Sequence, residues 1–365
     1  MFKSILFLGW TFFTISLLSS CSDVSDEISP NDSDLNTPFF MKGMDMSLLP
    51  EVRNSGVLIY NNSGQVQDML DIVKSEGVNT IRLRLWHQPE SSTSSFQTVK
   101  TLSQEIRSLG LKLLLTVHYS DTWADPGSQE KPQAWQGLNQ NQLKDSLSQY
   151  TSKIIREIQP NIIQIGNEIN HGFLWPEAHI NNETVFLNFL SEAIQAVRSE
   201  NEQTQIMLHY AGHENADVFF NSLEGLDYDL IGISYYPRWH GKSLSRLRQN
   251  LISLNLIQNK PVAIVETAYP FTLDFNDFTN NIIGNEDQIL DNFPPSPQGQ
   301  KDYFWEIKSI AQDIPEAYGF CSWGSEWISF RGDQATDGSP YENQAFWDFD
   351  NQPLPVFSVY KSEDF

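Results

Sequence analysis

The sequence has few cysteines, little positive charge and no recognisable metal-binding motif. Cys21 and Cys321 are the only cysteines among 365 residues, so at most one disulfide can form. Lys and Arg number 23 against 46 Asp and Glu, and the net charge of −23 argues against a nucleic-acid partner because phosphates would be repelled. There is no HExxH motif and no compact spacing of metal ligands, which argues against a catalytic metal site. The acidic balance favours neutral or cationic partners.

The first 38 residues differ from the rest of the chain. Lys3 and the apolar run from residue 5 to residue 18 predict a signal peptide over residues 1–20. The run ends in Leu-Ser-Ser-Cys, which resembles the lipobox of bacterial lipoproteins. This resemblance implies that Cys21 is lipidated and becomes the mature N-terminus, whereas the alternative is an ordinary secretory signal. If Cys21 carries lipid, Cys321 has no disulfide partner.

Residues 21–38 are acidic and rich in Ser, Asn and Pro, which predicts a flexible tether. An acidic run directly after the lipid-bearing cysteine also resembles the surface-export signal of some Gram-negative lipoproteins. The sequence therefore predicts an outer-membrane lipoprotein that is exposed at the cell surface, with a periplasmic location as the alternative.

From residue 39 to residue 365, strand-like and helix-like segments alternate. The predicted strands span residues 39–45, 78–85, 111–118, 162–165, 206–209, 230–234, 262–266 and 318–323. Helical spacing of apolar residues fills most of the gaps, as in Leu143, Leu147 and Ile154. This alternation predicts an α/β fold of parallel strands joined by crossover helices. Eight strands favour a closed (β/α)8 TIM barrel, and the absence of a linker favours a single domain.

Polar or aromatic residues stand at nearly every predicted strand end. In such a barrel the carboxyl ends of the strands carry the chemistry, whereas stabilising positions are mostly branched and apolar. We therefore expect these residues to meet around one site: Asp45, Arg82, Arg84, His118, Asn167, Glu168, His209, Ser234, Tyr235, Tyr236, Glu266 and Trp323.

Glu168 and Glu266 are the candidate catalytic pair, because each directly follows or ends a buried apolar strand. Two carboxyls across a barrel mouth suit glycoside hydrolysis, in which one donates a proton and the other attacks the anomeric carbon. Arg82 would keep Glu266 ionised, and Tyr235 or Tyr236 could donate a hydrogen bond to it. The alternatives are a metal site, or strand-end carboxylates that only cap the next helix or face solvent.

Aromatic residues make up 12% of the chain, including 10 Trp. Such a content is typical of proteins that stack on sugar rings, although it could also serve core packing. The tryptophans that end or follow strands are candidates for a sugar-binding cleft: Trp86, Trp123, Trp239, Trp323 and Trp327.

Longer motifs resemble glycoside hydrolase family 53, the endo-β-1,4-galactanases. They are GMDMSLL from Gly43, GVNTIRLRLW from Gly77, HYSDTWADPGSQEKPQAW from His118, QIGNEINHGFLWP from Gln164, IGISYYPRWHG from Ile231, VETAYPFT from Val265 and YENQAFWDF from Tyr341. The resemblance covers residues 39–356. It implies a retaining endo-acting enzyme that cleaves β-1,4-galactan side chains of pectin, with Glu168 as acid/base and Glu266 as nucleophile.

The chain departs from the family pattern in three places. Thr116 stands where an acidic residue is usual, and Gly324-Ser325 replaces the usual Glu-Pro after Trp323. Bacterial relatives often bind calcium between the loops after the seventh and eighth strands, and the matching segment 273–281 keeps Asp277 and Asn281 but has Phe275 and Thr279 where ligands are expected. We therefore expect no required cofactor and leave calcium open.

Two rival interpretations remain at the level of the sequence. One is a related β-1,4-glycanase that acts on mannan. The other is a surface lipoprotein that binds glycans without cleaving them, although the presence of both glutamates argues against it. We expect the protein to act on polysaccharide as a monomer.

Overall fold

The computed structural model describes residues 39–361, so the predicted signal peptide, Cys21 and the tether lie outside the described residues. Eight parallel strands close into a barrel, and each strand pairs with its neighbours in chain order. They are Met41–Asp45 (β1), Thr80–Leu85 (β2), Lys112–Val117 (β3), Ile162–Ile165 (β4), Gln205–Ala211 (β5), Leu230–Ser234 (β6), Val262–Glu266 (β7) and Gly319–Ser322 (β8). The predicted (β/α)8 TIM barrel in a single domain is confirmed, and each observed strand overlaps its predicted segment.

Helices surround this barrel. They are Leu49–Ser55 (α1), Met69–Ser75 (α2), Phe96–Ser108 (α3), Gln140–Ile158 (α4), Glu183–Glu200 (α5), Ala216–Asn221 (α6), Pro237–His240 (α7), Leu244–Gln258 (α8), Pro297–Asp313 (α9) and Ser358–Lys361 (α10). Two short antiparallel strands, Gly172–Phe173 and Ala178–His179, form a hairpin after β4. No helix in the described part of the chain is long and apolar enough to cross a membrane.

Helix α4 shows how local sequence places a crossover helix. Asn139 accepts hydrogen bonds from the first turn, and Gln142 reaches back to the Asn139 backbone in a capping box. Leu143, Leu147 and Ile154 then recur on one face and are fully buried. The helix therefore begins at a defined residue and packs its apolar face inward. The short strand β4 follows it and places Glu168 at the carboxyl end of the barrel.

The carboxyl ends of the strands carry long connections. The segments after β7 and β8 contain little regular structure, apart from short 3₁₀ turns, before α9 and α10. These connections place residues at the rim of the barrel that the alternating pattern of strands and helices does not identify. The functional site is therefore formed by residues at the carboxyl ends of the strands and by residues of the loops that follow them.

Candidate active site

A cavity of about 660 Å³ opens at the carboxyl ends of the barrel strands. Its wall contains charged, polar and aromatic side chains. The predicted residues that line it are Arg82, Arg84, His118, Trp123, Asn167, Glu168, Tyr236, Trp239, Glu266 and Trp323. The barrel thus brings together side chains that are up to 241 positions apart, since 323 − 82 = 241.

Glu266 is held by a cation and a phenol. Arg82, which is buried, forms an ion pair with one oxygen of Glu266 and also with Asp45, at 2.7 Å from Nη1 to Oδ2. The Tyr236 hydroxyl donates to the other Glu266 oxygen at 3.0 Å. Burial raises the pKa of Glu266, but the Arg82 charge and the hydrogen bonds from Tyr236 and Arg82 oppose that rise and favour the ionised carboxylate.

Glu168 has no such ion pair. Burial and then the charge of Glu266 raise its pKa to about 8, while a side-chain hydrogen bond from Ser234 and the charge of Arg82 lower it. Because the ionised Glu266 contributes to this rise, Glu168 is the second of the two carboxyls to lose its proton. At neutral pH the pair consists of a proton donor and a carboxylate.

Both polar atoms of the Asn167 side-chain amide are hydrogen-bonded. Its Nδ2 donates to the Ala124 carbonyl at 2.9 Å, and its Oδ1 accepts from Arg82 Nη2 at 3.2 Å. Gln129 donates from Nε2 to the Asn167 carbonyl at 2.7 Å and to the Glu168 carbonyl at 3.3 Å. The turn that carries Glu168 is therefore fixed by residues from the loop after β3.

His118 is buried, and its hydrogen bonds define the position of its ring proton. Its Nδ1 accepts hydrogen bonds from Trp86 Nε1 at 3.2 Å and from the Ala124 backbone N–H at 3.1 Å. The ring proton therefore lies on Nε2. Burial, followed by the charges of Arg84 and Arg82, lowers the pKa of His118 well below its usual range, so the ring is neutral.

The aromatic residues at the cavity pack against a buried cation. The Arg84 guanidinium carbon lies 3.9 Å from the Trp123 ring centroid and 4.5 Å from that of Trp86. Burial lowers the pKa of Arg84 to about 10, so it stays charged at neutral pH. Trp123 keeps 41% of its surface exposed and approaches Trp323 and Trp327 at ring-centroid distances of 6.2 and 6.3 Å. Such exposed flat rings beside carboxyls are suited to cover the apolar faces of sugars.

This geometry can hydrolyse a glycosidic bond. A neutral carboxylic acid, an ionised carboxylate held by arginine and tyrosine, and a partly exposed aromatic wall share one cavity. The family model described as "Glycosyl hydrolase family 53" matches residues 41–360 of the chain. The chain belongs to this family of glycoside hydrolases.

Known members of family 53 cover nearly the same length. A protein of Cellvibrio japonicus named arabinogalactan endo-beta-1,4-galactanase is 34% identical, over 90% of this chain and 92% of its own. An endo-beta-1,4-galactanase of Bacillus subtilis is 30% identical, over 88% of this chain and 85% of its own. The solved family 53 catalytic domain of Ignisphaera aggregans superposes with a TM-score of 0.84 at 33% identity, covering 88% of this chain and 95% of that one.

Five predicted substrate-binding residues of the family 53 chain do not line the cavity: Asp45, Trp86, His209, Ser234 and Tyr235. A polar side-chain atom of each is hydrogen-bonded to another protein group. Tyr235 is the clearest correction, since its hydroxyl donates to the Gly241 carbonyl at 2.8 Å while Tyr236 reaches Glu266. Neighbouring residues of an extended segment point to opposite sides, so only one of the two tyrosines can face the cavity.

Other wall residues were not predicted as site residues. They are Ala124, Asp125, Pro126, Ala211, His240, Pro340 and Tyr341. Trp327, which was predicted as a cleft aromatic, also lines the wall. Asp125, His240 and Tyr341 lie inside motifs that carry the family resemblance, and this was the signal that could have found them. Tyr341 packs edge-on against Trp323 at 4.6 Å between ring centroids.

The departures from the family pattern have structural consequences near β3 and β8. Thr116 is fully buried and its hydroxyl has no hydrogen-bond partner. Gly324 adopts a φ of 72°, which few other residues tolerate, and Ser325 donates to the Ser322 hydroxyl at 2.7 Å. After this turn Glu326 is fully buried, and its Oε1 accepts from the Leu48 backbone N–H at 2.9 Å.

The segment that matches the family calcium loop does not offer Asp277 as a free ligand. One oxygen of Asp277 accepts from the Thr279 backbone N–H at 2.6 Å, and the other accepts from Ser329 at 3.1 Å. The buried Asn281 Oδ1 has no protein donor. Within residues 39–361, no group of three or more His, Cys, Asp or Glu side chains is arranged to hold a metal ion. Both oxygens of Asp277 are therefore engaged in hydrogen bonds within the protein.

Proposed function

We propose that this chain is a retaining endo-β-1,4-galactanase that cuts the galactan side chains of pectin. The observation that carries the proposal is the unequal pair of carboxyls in a family 53 barrel: Glu168 lacks a cation and holds its proton, whereas Glu266 is paired with Arg82. The galactan specificity is supported by the names of the Cellvibrio and Bacillus relatives.

In the proposed reaction, Glu266 attacks the anomeric carbon of a bound galactose unit while Glu168 gives its proton to the departing oxygen. The covalent galactosyl bond to Glu266 is then broken by water, from which Glu168, now ionised, accepts the proton. Both carboxyls return to their starting states. Such a mechanism requires carboxyls about 5–5.5 Å apart, rather than the roughly 6.5–9.5 Å of inverting enzymes.

The deciding experiment offers the mature chain galactan, mannan, xylan and arabinan in parallel and measures new reducing ends. We expect rapid cleavage of galactan to mixed oligosaccharides. Preferential cleavage of mannan would support the related glycanase, and binding to galactan without cleavage would support a non-catalytic surface lipoprotein. Proton NMR of the first product should show the β-anomer, and an α-anomer would contradict retention.

The matched control is Glu177→Gln. Glu177 is a carboxyl outside the cavity wall that pairs with Lys131. This variant should cleave galactan like the parent chain, whereas Glu266→Gln should not.

We also propose that the enzyme acts as a monomer, anchored to the outer membrane by lipid on Cys21, and requires no cofactor. The Asp277 hydrogen bonds support the last point. Dialysis against EDTA should leave the galactan-cleaving rate and the melting temperature unchanged, and a loss of either that added calcium restores would contradict it.

A further inference from the structure

The buried His209 contacts the turn that carries Glu168 through its ring Nδ1 and its backbone carbonyl, and it contacts Ser234 through Nε2. Its Nδ1 lies 3.2 Å from the Glu168 backbone nitrogen, and its carbonyl accepts from the Ile169 N–H at 3.0 Å. Its Nε2 lies 2.8 Å from the Ser234 hydroxyl. His209 is fully buried and does not line the cavity, so it cannot serve as a sugar-binding residue.

These contacts determine where the His209 ring proton lies. A backbone N–H can only donate, so Nδ1 must be the acceptor for Glu168. Gln164 Nε2 donates to the same Nδ1 at 2.9 Å, and its orientation is supported by two further acceptors, the Gly166 carbonyl and Asn167 Oδ1. The proton is therefore on Nε2, which donates to Ser234. Burial, followed by the charges of Arg82 and His240, lowers the pKa of His209 well below its usual range and keeps the ring neutral.

Ser234 extends this arrangement to the carboxyl of Glu168. Because its oxygen already accepts from His209, its own proton is left to donate. Hydrogen bonding from Ser234 lowers the pKa of the Glu168 carboxyl and so favours its ionised form. His209 is thus connected to both ends of Glu168, directly at the backbone and through Ser234 at the side chain.

The hydrogen bond at the Glu168 backbone matters for the shape of the turn, because Glu168 has a φ of 48°. This left-handed conformation is unfavourable for a residue with a side chain and persists only when its surroundings hold it. The hydrogen bonds that the backbone N–H groups of Glu168 and Ile169 donate to His209 stabilise this conformation.

We propose that His209, as its neutral Nε2–H tautomer, is a positioning residue that holds the backbone of the acid/base Glu168 and aims the Ser234 hydroxyl at its carboxyl. This inference rests on the proposed role of Glu168 as acid/base. It assigns two residues behind the cavity wall to the control of proton transfer.

The first test is Ser234→Ala, read as the pH profile of kcat/KM on galactan. Loss of a hydrogen bond to the ionised carboxyl raises the pKa of Glu168, so the basic limb should move up by about one pH unit. The other charged or titratable groups that act on Glu168 stay in place: Glu266, Arg82, Asp125, Tyr236 and Tyr341. The control is Ser103→Ala, a buried serine of α3 that donates to the Lys100 carbonyl, and it should leave the limb unchanged.

Two substitutions separate the functions of the His209 nitrogens. In His209→Asn an amide oxygen can replace Nδ1 as acceptor, but nothing reaches Ser234, so the basic limb should rise as in Ser234→Ala. Combining these two substitutions should add no further shift, because both remove the same interaction. His209→Gln places an amide nitrogen near the position that Nε2 occupies in the parent, but it leaves the Glu168 backbone N–H unpaired. We therefore expect kcat to fall roughly ten- to a hundredfold, while the basic limb of the pH profile stays in place.

A measurement on the parent protein does not depend on any variant folding. Nitrogen-15 NMR of the seven histidines should contain a buried, non-titrating ring protonated at Nε2 that is absent from His209→Asn. If Ser234→Ala and His209→Asn both leave the basic limb in place, or move it down, the proposal is overturned. An Nδ1–H tautomer for His209 also overturns it. Failure of the parent chain to cleave galactan would instead refute the proposed function, while the tautomer measurement still tests His209.

Discussion

At the scale of single residues, the chemistry depends on the different surroundings of two identical carboxyls. Glu266 forms an ion pair with Arg82 and accepts a hydrogen bond from Tyr236, whereas Glu168 is not ion-paired with Arg82 or hydrogen-bonded to Tyr236 in the described part of the chain. The buried Arg82 also pairs with Asp45, so one guanidinium joins the second strand, the first strand and Glu266, the proposed nucleophile. Arg82→Lys should lower kcat at least a hundredfold, because a single ammonium cannot reproduce the two-sided contact.

Glu168→Ala should separate the acid from the nucleophile. An aryl galactoside with a good leaving group hardly needs a proton donor, so this variant should still form the covalent intermediate and accumulate it. Added azide, which needs no general base, should restore turnover and give a β-galactosyl azide. Glu266→Ala should lose activity by several orders of magnitude on galactan and aryl galactoside alike, at about 1.4 kcal/mol for each factor of ten. An α-galactosyl azide from Glu168→Ala, or no rescue of either variant, would contradict these roles.

The pH dependence follows from the same two groups. In the proposed reaction, catalysis needs Glu168 protonated, so kcat/KM should fall as the pH rises through about 8, the raised pKa of that carboxyl. It also needs Glu266 ionised, so activity should fall again at acidic pH, below the raised pKa of Glu266. A profile that keeps rising well above pH 9 would show that Glu168 does not act as the acid.

At the scale of elements, the loop after β3 contributes the exposed Trp123 and is held by β2. The Arg84 guanidinium of β2 lies against the Trp123 ring and donates from Nε to Ser94 at 3.0 Å. The cation thereby orients an aromatic ring that would otherwise move with its loop.

Trp123→Ala should therefore weaken galactan binding more than it slows the reaction. We expect KM to rise about tenfold, which corresponds to about 1.4 kcal/mol of lost stacking, with kcat within a factor of about three. The control is Trp305→Ala, on α9 outside the cavity, where 38% of the side chain is exposed. If both variants keep the parent KM, the ring does not contribute to substrate binding.

At the scale of the whole molecule, the catalytic barrel begins near residue 40, and the predicted anchor precedes it. Cys21→Ala should move the protein from the membrane fraction to the soluble fraction without changing its rate on galactan, since residue 21 lies outside the matched family region. The parent should stay in the membrane fraction through a high-salt wash, because a lipid anchor does not depend on charge. A variant that still pellets with membranes and resists salt would refute lipidation.

The amino-acid sequence by itself determined the barrel and the two carboxyls. Short β-branched runs such as residues 162–165 alternate with amphipathic helices, and parallel strands joined in this way bring all their carboxyl ends to one side. Glu168 and Glu266 therefore meet at the mouth wherever the intervening loops run.

Only the tertiary structure decided which neighbours face the cavity. The pairing between β6 and β7 is irregular after Ile233, and beyond it Tyr236 faces Glu266 while Tyr235 points to Gly241. Tyr341 comes from an irregular loop, for which no periodicity predicts a position. The protonation of Glu168 also depends on burial and on a carboxyl 98 positions away, since 266 − 168 = 98, and such distances exist only in the folded barrel.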